Sequence, residues 1–195
     1  HAGLAGFYLI RDEVEDALCL PSGDRELTLM IADRNLETRP TPPDHQPIPS
    51  DRQTTSFTGR LLYKHAAFAF GPGTPIGEIP VTGPFNTVNG TIWPTHAVQA
   101  RWYRLRVVNA SGTRIHRLAL HDTTDEVLIP GTPVLPDDPA FSANRLADAL
   151  VVIGTDGGLL PAPVRPDGVI ELGPGERLDL LVDFGALRGR TLELR

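Results

Sequence analysis

The chain has 195 residues and 21.1 kDa, 41% of them hydrophobic, enough to bury a sizeable core in one large domain. Glycine and proline contribute 19 residues each, against an average combined share of about 12%, which implies many turns between short elements and argues against a mainly helical fold. A net charge of −6 and a pI near 5.5 offer no basic surface to phosphates, so nucleic acid is not an expected partner.

The positive charge is carried by arginine apart from Lys64, the one lysine. Cys19 is the sole cysteine, which excludes an internal disulfide and a thiolate metal cage. No clean apolar run is longer than that of Ala149 to Ile153, far shorter than the ~20 residues of a membrane helix, so no membrane partner is expected. No leader peptide is recognisable at the start, the compartment stays open, and the opening reads as a piece of a longer protein.

In chain order, Ala2 to Ile10 is almost wholly apolar and reads as a strand buried on both faces. Glu13 to Ala17 makes an acidic turn, one helical turn at most, before Pro21-Ser22-Gly23 punctuates the chain. Glu26 to Asp33 reads as a strand with Leu27, Leu29 and Ile31 on one side and Met30 and Ala32 on the other. Residues 40–52 hold five prolines and almost nothing apolar, which predicts an exposed loop, and Leu61 to Phe70 contains a short strand. Asn86 to Ile92 places Asn89-Gly90 between two β-formers, the favoured type I′ hairpin pattern.

The alternation Tyr103-Arg104-Leu105-Arg106-Val107 puts the apolar residues on a core face and both arginines in solvent. Asn109 to Gly112 turns into a strand over Arg114 to Leu120, and residues 122–148 are loop-like, with a short helix over Ser142 to Leu150 capped by Ser142. Strands follow at Leu150 to Ile153, Val169 to Leu172 and Arg177 to Phe184, and Thr191 to Leu194 closes the chain as an edge strand. About eight or nine short strands separated by Gly/Pro turns define an all-β Greek-key sandwich or barrel.

Chemistry is sparse in this pattern. A type 1 copper site needs two histidines and a thiolate, and Cys19 has no histidine nearer in sequence than His1 or His45. It reads instead as a semi-buried small apolar side chain. None of the six histidines, His1, His45, His65, His96, His116 and His121, forms a His-x-His pair, and His116 and His121 fall on opposite faces of a strand. His116 reads as a hydrogen-bonded core histidine and His45 as a solvated one. Gly154-Thr155-Asp156-Gly157-Gly158 lacks the lysine and helix of a phosphate loop and reads as a tight turn in which Asp156 caps backbone amides. Asn89-Gly90-Thr91 and Asn109-Ala110-Ser111 match the glycosylation triplet, yet turn geometry explains both. The residues themselves assign no catalytic and no metal-binding side chain. A carbohydrate-binding sandwich would show a planar row of aromatics, whereas Trp93, Trp102 and the three tyrosines are scattered.

Four segments taken in order resemble the bacterial multicopper oxidases of the laccase, bilirubin oxidase and phenoxazinone synthase branch. Ala2 to Asp12 resembles the last strand of that family's first cupredoxin domain, and Leu29 to Arg34 the opening strand of its second. Val88 to Pro94 with Tyr103 to Ser111 is similar to the centre of the second domain. Ile153 to Leu160 and Pro174 to Phe184 look like its closing part. Gly59 to Lys64 and Gly83 to Gly90 lean towards the phenoxazinone synthase-like members.

The resemblance implies residues 1–20 as the end of a preceding cupredoxin domain plus linker. It implies residues 21–195 as a middle, second cupredoxin-like domain with long loops at about 37–60 and 122–148. In the family, copper as a type 1 site plus a trinuclear cluster is held by the outer domains, and phenolic or aminophenolic substrates are oxidised one electron at a time while O₂ is reduced to water. The His-x-His and His-Cys-His motifs that bind it have no counterpart here, so no ligand assignment carries over and this segment is expected to hold none. Its implied partners are the flanking cupredoxin domains, with Thr82, Gly83, Pro84 and Phe85 as a candidate lip of the substrate cleft. The competing expectation is a copper-free relative of the same fold that serves as a scaffold or interaction protein.

Overall fold

A computed structural model describes residues 4–34, 36–39, 56–61, 66–68, 77–79, 83, 85–125 and 144–195. A helical turn, α1 (Glu13–Ala17), and a 3₁₀ turn (Gly23–Arg25) precede the strands. These are β1 (Glu26–Arg34), β2 (Leu36–Arg39), β3 (Ser56–Leu61), β4 (Ala66–Phe68), β5 (Gly77–Ile79), β6 (Phe85–Val88), β7 (Thr91–Ile92) and β8 (Trp102–Asn109). They continue with β9 (His116–Leu118), β10 (Leu120–Asp122), β11 (Leu150–Thr155), β12 (Gly158–Val164), β13 (Ile170–Leu172), β14 (Arg177–Asp183) and β15 (Leu192–Leu194).

Seven strands form one mixed sheet in the order β12-β11-β14-β8-β1-β6-β7. The β1–β8 pair is parallel, with Glu26 opposite Arg104 and Thr28 opposite Arg106, whereas β14 runs antiparallel to β8 and sets Asp179 opposite Arg106. Two-stranded ladders β9–β13 and β10–β15 lie across the core from this sheet. One cluster joins Ile31, Tyr103, Leu105, Val107, Leu150, Val152, Leu180 and Val182 from the large sheet with Leu118, Leu120, Ile170 and Leu172 from the ladders. Each such side chain contributes roughly 1.5–3 kcal/mol by leaving water. Phe184 stacks edge-on against Tyr103 at 5.4 Å, and the Tyr103 hydroxyl accepts the Gln99 amide at 3.0 Å.

The Asn-Gly hairpin forms as its dipeptide dictates, with φ of 50° at Asn89 and 82° at Gly90. Asn89 does more than turn the chain. Its Oδ1 accepts the Met30 amide at 2.9 Å and its Nδ2 donates to the Thr28 carbonyl at 2.7 Å, so the hairpin is stitched to β1. Asp156 lies in the β11–β12 turn, and its Oδ1 accepts the Arg177 amide at 2.7 Å.

Several expectations are corrected. Leu4 to Ile10 is not a buried strand: Leu4, Tyr8 and Ile10 are exposed, because among the described residues no strand pairs with this segment. Arg104 is 2% exposed, not in solvent, because carboxylates cover it. Asn144 to Ala149 forms turns and an isolated bridge between Arg145 and His121 in place of a helix, and Ser142 lies outside the described residues. The ends of the expected 37–60 loop are strands, since β2 pairs with β3, while residues 40–55 lie outside the described residues. Strand β12 escapes periodicity because it is mostly exposed and carries Pro161 and Pro163, which suits its place at the edge of the sheet.

Candidate functional site

The chemically densest region is the outer face of the large sheet, where β1, β8 and β14 present alternate residues away from the core. Arg104 grips Asp179 as a fork, Nε to Oδ1 at 2.8 Å and Nη2 to Oδ2 at 2.5 Å, and its Nη1 donates to Glu15 Oε1 at 2.8 Å. Arg106 donates to the same Glu15 oxygen and, through Nε, to Glu26 Oε1 at 2.6 Å. Arg11 Nη2 reaches Glu26 Oε2 at 2.5 Å. Three arginines therefore meet three carboxylates, and the lattice is neutral. Bidentate guanidinium geometry of this kind satisfies several donors at once, which a buried charge requires.

Burial works against the charge on Arg104, yet its hydrogen bonds to Asp179 and Glu15 prevail and hold its pKa above the ordinary value. Burial likewise tends to raise Glu26, but Arg11 and Arg106 outweigh it and keep the carboxyl below its usual range.

Glu15 reaches the lattice because α1 forms where it does. Asp12 caps it, accepting the Glu15 amide at 2.7 Å, and acidic residues fill its first turn in the favourable sense of the helix dipole. The turn ends at Leu18, and Cys19 follows with φ 50°. Cys19 is exposed, contrary to the semi-buried expectation, because it occupies the left-handed position just past the helix.

A second polar group lies buried at the far end of β1. Asp33 Oδ2 accepts the Gly83 amide at 2.7 Å and faces Arg114 Nε at 3.3 Å, while Arg114 Nη2 donates to the Gly83 carbonyl at 3.1 Å. The Asp33 amide donates to Ser111 Oγ, which lies 3.0 Å from His116 Nε2. Asn109 closes the group by accepting the Ser111 amide and donating to the Arg114 and Leu172 carbonyls. Burial, helped by the Arg114 charge and opposed by Asp33, pushes His116 below its ordinary pKa, so the imidazole is kept neutral. It is the core histidine its spacing predicts. Ser111 is engaged by a backbone amide and is buried, an arrangement that anchors a turn.

Of the candidate lip, Thr82 and Pro84 lie outside the described residues. Gly83 is buried against Arg34, and Phe85 is buried on β6 with its ring edge-on to Trp93 at 6.2 Å. His1, His45 and His65 lie outside the described residues; His96 is exposed and His121 fully buried. Among the described residues no three of His, Cys, Asp and Glu gather into a group able to hold a metal ion. These residues do not fit a copper centre. Among them, too, no helix is long and apolar enough to cross a membrane.

Periodicity overlooked the charge lattice, although its signals were visible: arginines alternating on β8 and a compact acidic run at residues 13–16.

No family model matches the chain. Over its whole length it is 32% identical to a laccase of Bacillus stratosphericus and to one of Bacillus subtilis (strain 168), covering 30% of each. It is also 30% identical to the cell division protein FtsP of Escherichia coli (strain K12), over 93% of this chain and 28% of that protein. Among solved structures, the McoA multicopper oxidase of Aquifex aeolicus superposes with a TM-score of 0.58 at 27% identity, over 94% of this chain and 30% of that one. A multicopper oxidase of Pediococcus acidilactici gives 0.58 at 26% identity, over 93% and 28%. Fold and likeness together define an all-β, cupredoxin-type sandwich similar to those in the multicopper oxidases. The chain is similar throughout to one segment of the laccases and spans about 30% of their length.

Proposed function

We propose that residues 21–195 are the second, copper-free cupredoxin domain of a multicopper oxidase, and that residues 1–20 are the last strand of the preceding domain plus the linker. The parent protein would couple one-electron oxidation of phenolic or aminophenolic substrates to reduction of O₂ to water, with copper held by the flanking domains. This segment would be structural and hold those domains in register, and Thr82 to Phe85 would lie near the substrate cleft. The observation that carries the reading is the whole-length match to about 30% of two laccases. The exposed apolar face of Leu4, Tyr8 and Ile10 supports it, because a strand of this composition is suited to pair within a neighbouring sheet.

The test is to express the protein from the gene encoding this chain, measure its copper content and follow oxygen uptake with a dimethoxyphenol. Bound copper with phenol-dependent oxygen consumption is expected. A second reading, a scaffold without copper, is favoured by the similarity to FtsP, named for a role in cell division. A well-folded protein with neither copper nor oxygen uptake would establish it instead.

A further inference from the structure

Helix α1 is placed against the usual logic of amphipathic helices. Val14 and Leu18, four residues apart and so on one side, are 72% and 54% exposed, while Glu15 is turned into the lattice with its side chain only 12% exposed. None of the five helical residues is buried, so apolar packing does not hold the segment. Nor can the helix hold itself, since a single turn is far below the length at which isolated helices persist. What remains is ionic. Glu15 Oε1 is shared by Arg104 and Arg106, and Arg11 spans from the linker to Glu26 on β1. The partners on the sheet are rigid, because Arg104 and Arg106 are set on a strand paired on both sides.

We infer that Glu15 and Arg11 are positioning residues that latch the linker, residues 11–18, onto the outer face of the sheet. The latch fixes the path of the apolar segment Leu4 to Ile10, whose Ala5 lies beside Asn109 to Gly112 and Pro174-Gly175. It orients the segment while leaving Val14 and Leu18 facing outward. This goes beyond the domain assignment proposed above and rests on it, but not on the copper chemistry, since a copper-free scaffold of the same fold would use the same latch.

The test is amide hydrogen exchange on the full chain. The Asp16, Leu18 and Cys19 amides, bonded to the Asp12, Glu15 and Asp16 carbonyls, report on the linker, and amides of β8 and β14 report on the sheet. In Glu15→Gln the three linker amides are expected to exchange roughly tenfold faster or more, with the sheet amides unchanged. Arg11→Gln, at a half-exposed position, is expected to act in the same direction. Glu13→Gln removes a charge from the same helix outside the lattice, so only its dipole interaction is lost and a clearly smaller acceleration than in Glu15→Gln is expected. Unchanged linker amides in both Glu15→Gln and Arg11→Gln, or equal loosening of linker and sheet, would overturn the latch. Copper content and oxygen uptake do not enter this readout, so the two proposals can fail separately.

Discussion

Replacing Arg104 by methionine tests whether the charge lattice is buried structure or surface decoration. The guanidinium is 2% exposed and makes hydrogen bonds to Asp179 and Glu15. Removing one partner of a buried ion pair costs about 3–5 kcal/mol, because the orphaned carboxylates keep their desolvation penalty. Two features reduce that figure here. Asp179 and Glu15 retain slight exposure, and Arg106 still binds Glu15 and lies 3.7 Å from Asp179. A loss of about 2–3 kcal/mol follows, which for a chain of this size lowers the Tm by about 4–12 °C. Thermal unfolding by circular dichroism, with urea titration to check that the m-value holds, measures it. The double replacement Arg104→Met and Asp179→Leu is expected to recover most of the loss, because Arg11 and Arg106 then remain with Glu15 and Glu26 as a neutral group. A single Arg104→Met variant melting within 1 °C of the parent would refute the reasoning.

Three further outcomes are expected. The neutral His116 resists protonation in the fold but not in the unfolded chain, so its contribution is complete above about pH 6.5 and shrinks as the pH falls towards its depressed native value. Urea midpoints at pH 7.5 and 5.5 should therefore lie further apart in the parent than in His116→Asn. Gly83→Ala would drive a methyl group into the Arg34 backbone, and a loss of about 1–3 kcal/mol in urea unfolding is expected. Asn89→Ala removes two hydrogen bonds to β1 and leaves a strained positive φ, for about 1–3 kcal/mol; Asn89→Gly relieves the strain and should lose less, as paired unfolding curves would show.

Most strands were legible because their signals are local. Alternation in β8 and β14 and the Asn89-Gly90 dipeptide act over a few residues, and the structure follows them. Leu4 to Ile10 shows where such reading stops: composition marks a strand, but a strand exists only where a ladder partner does, and none is among the described residues. Of the candidate lip, Gly83 was not legible as a residue pressed against Arg34, since nothing in the sequence places residue 83 beside residue 34.

By itself, then, the sequence determined an all-β sandwich, its hairpins, its core stripe and the resemblance to multicopper oxidases, all properties of neighbouring residues or of ordered segments. Only the tertiary structure decided that Arg104 is interior and that Glu15, 89 positions away, is its partner. That contact follows from parallel pairing of β1 with β8 and antiparallel pairing of β14, which stack three strands' outward residues into one patch. Alternation assigns a residue to a face, and whether that face meets water depends on what the rest of the chain lays over it.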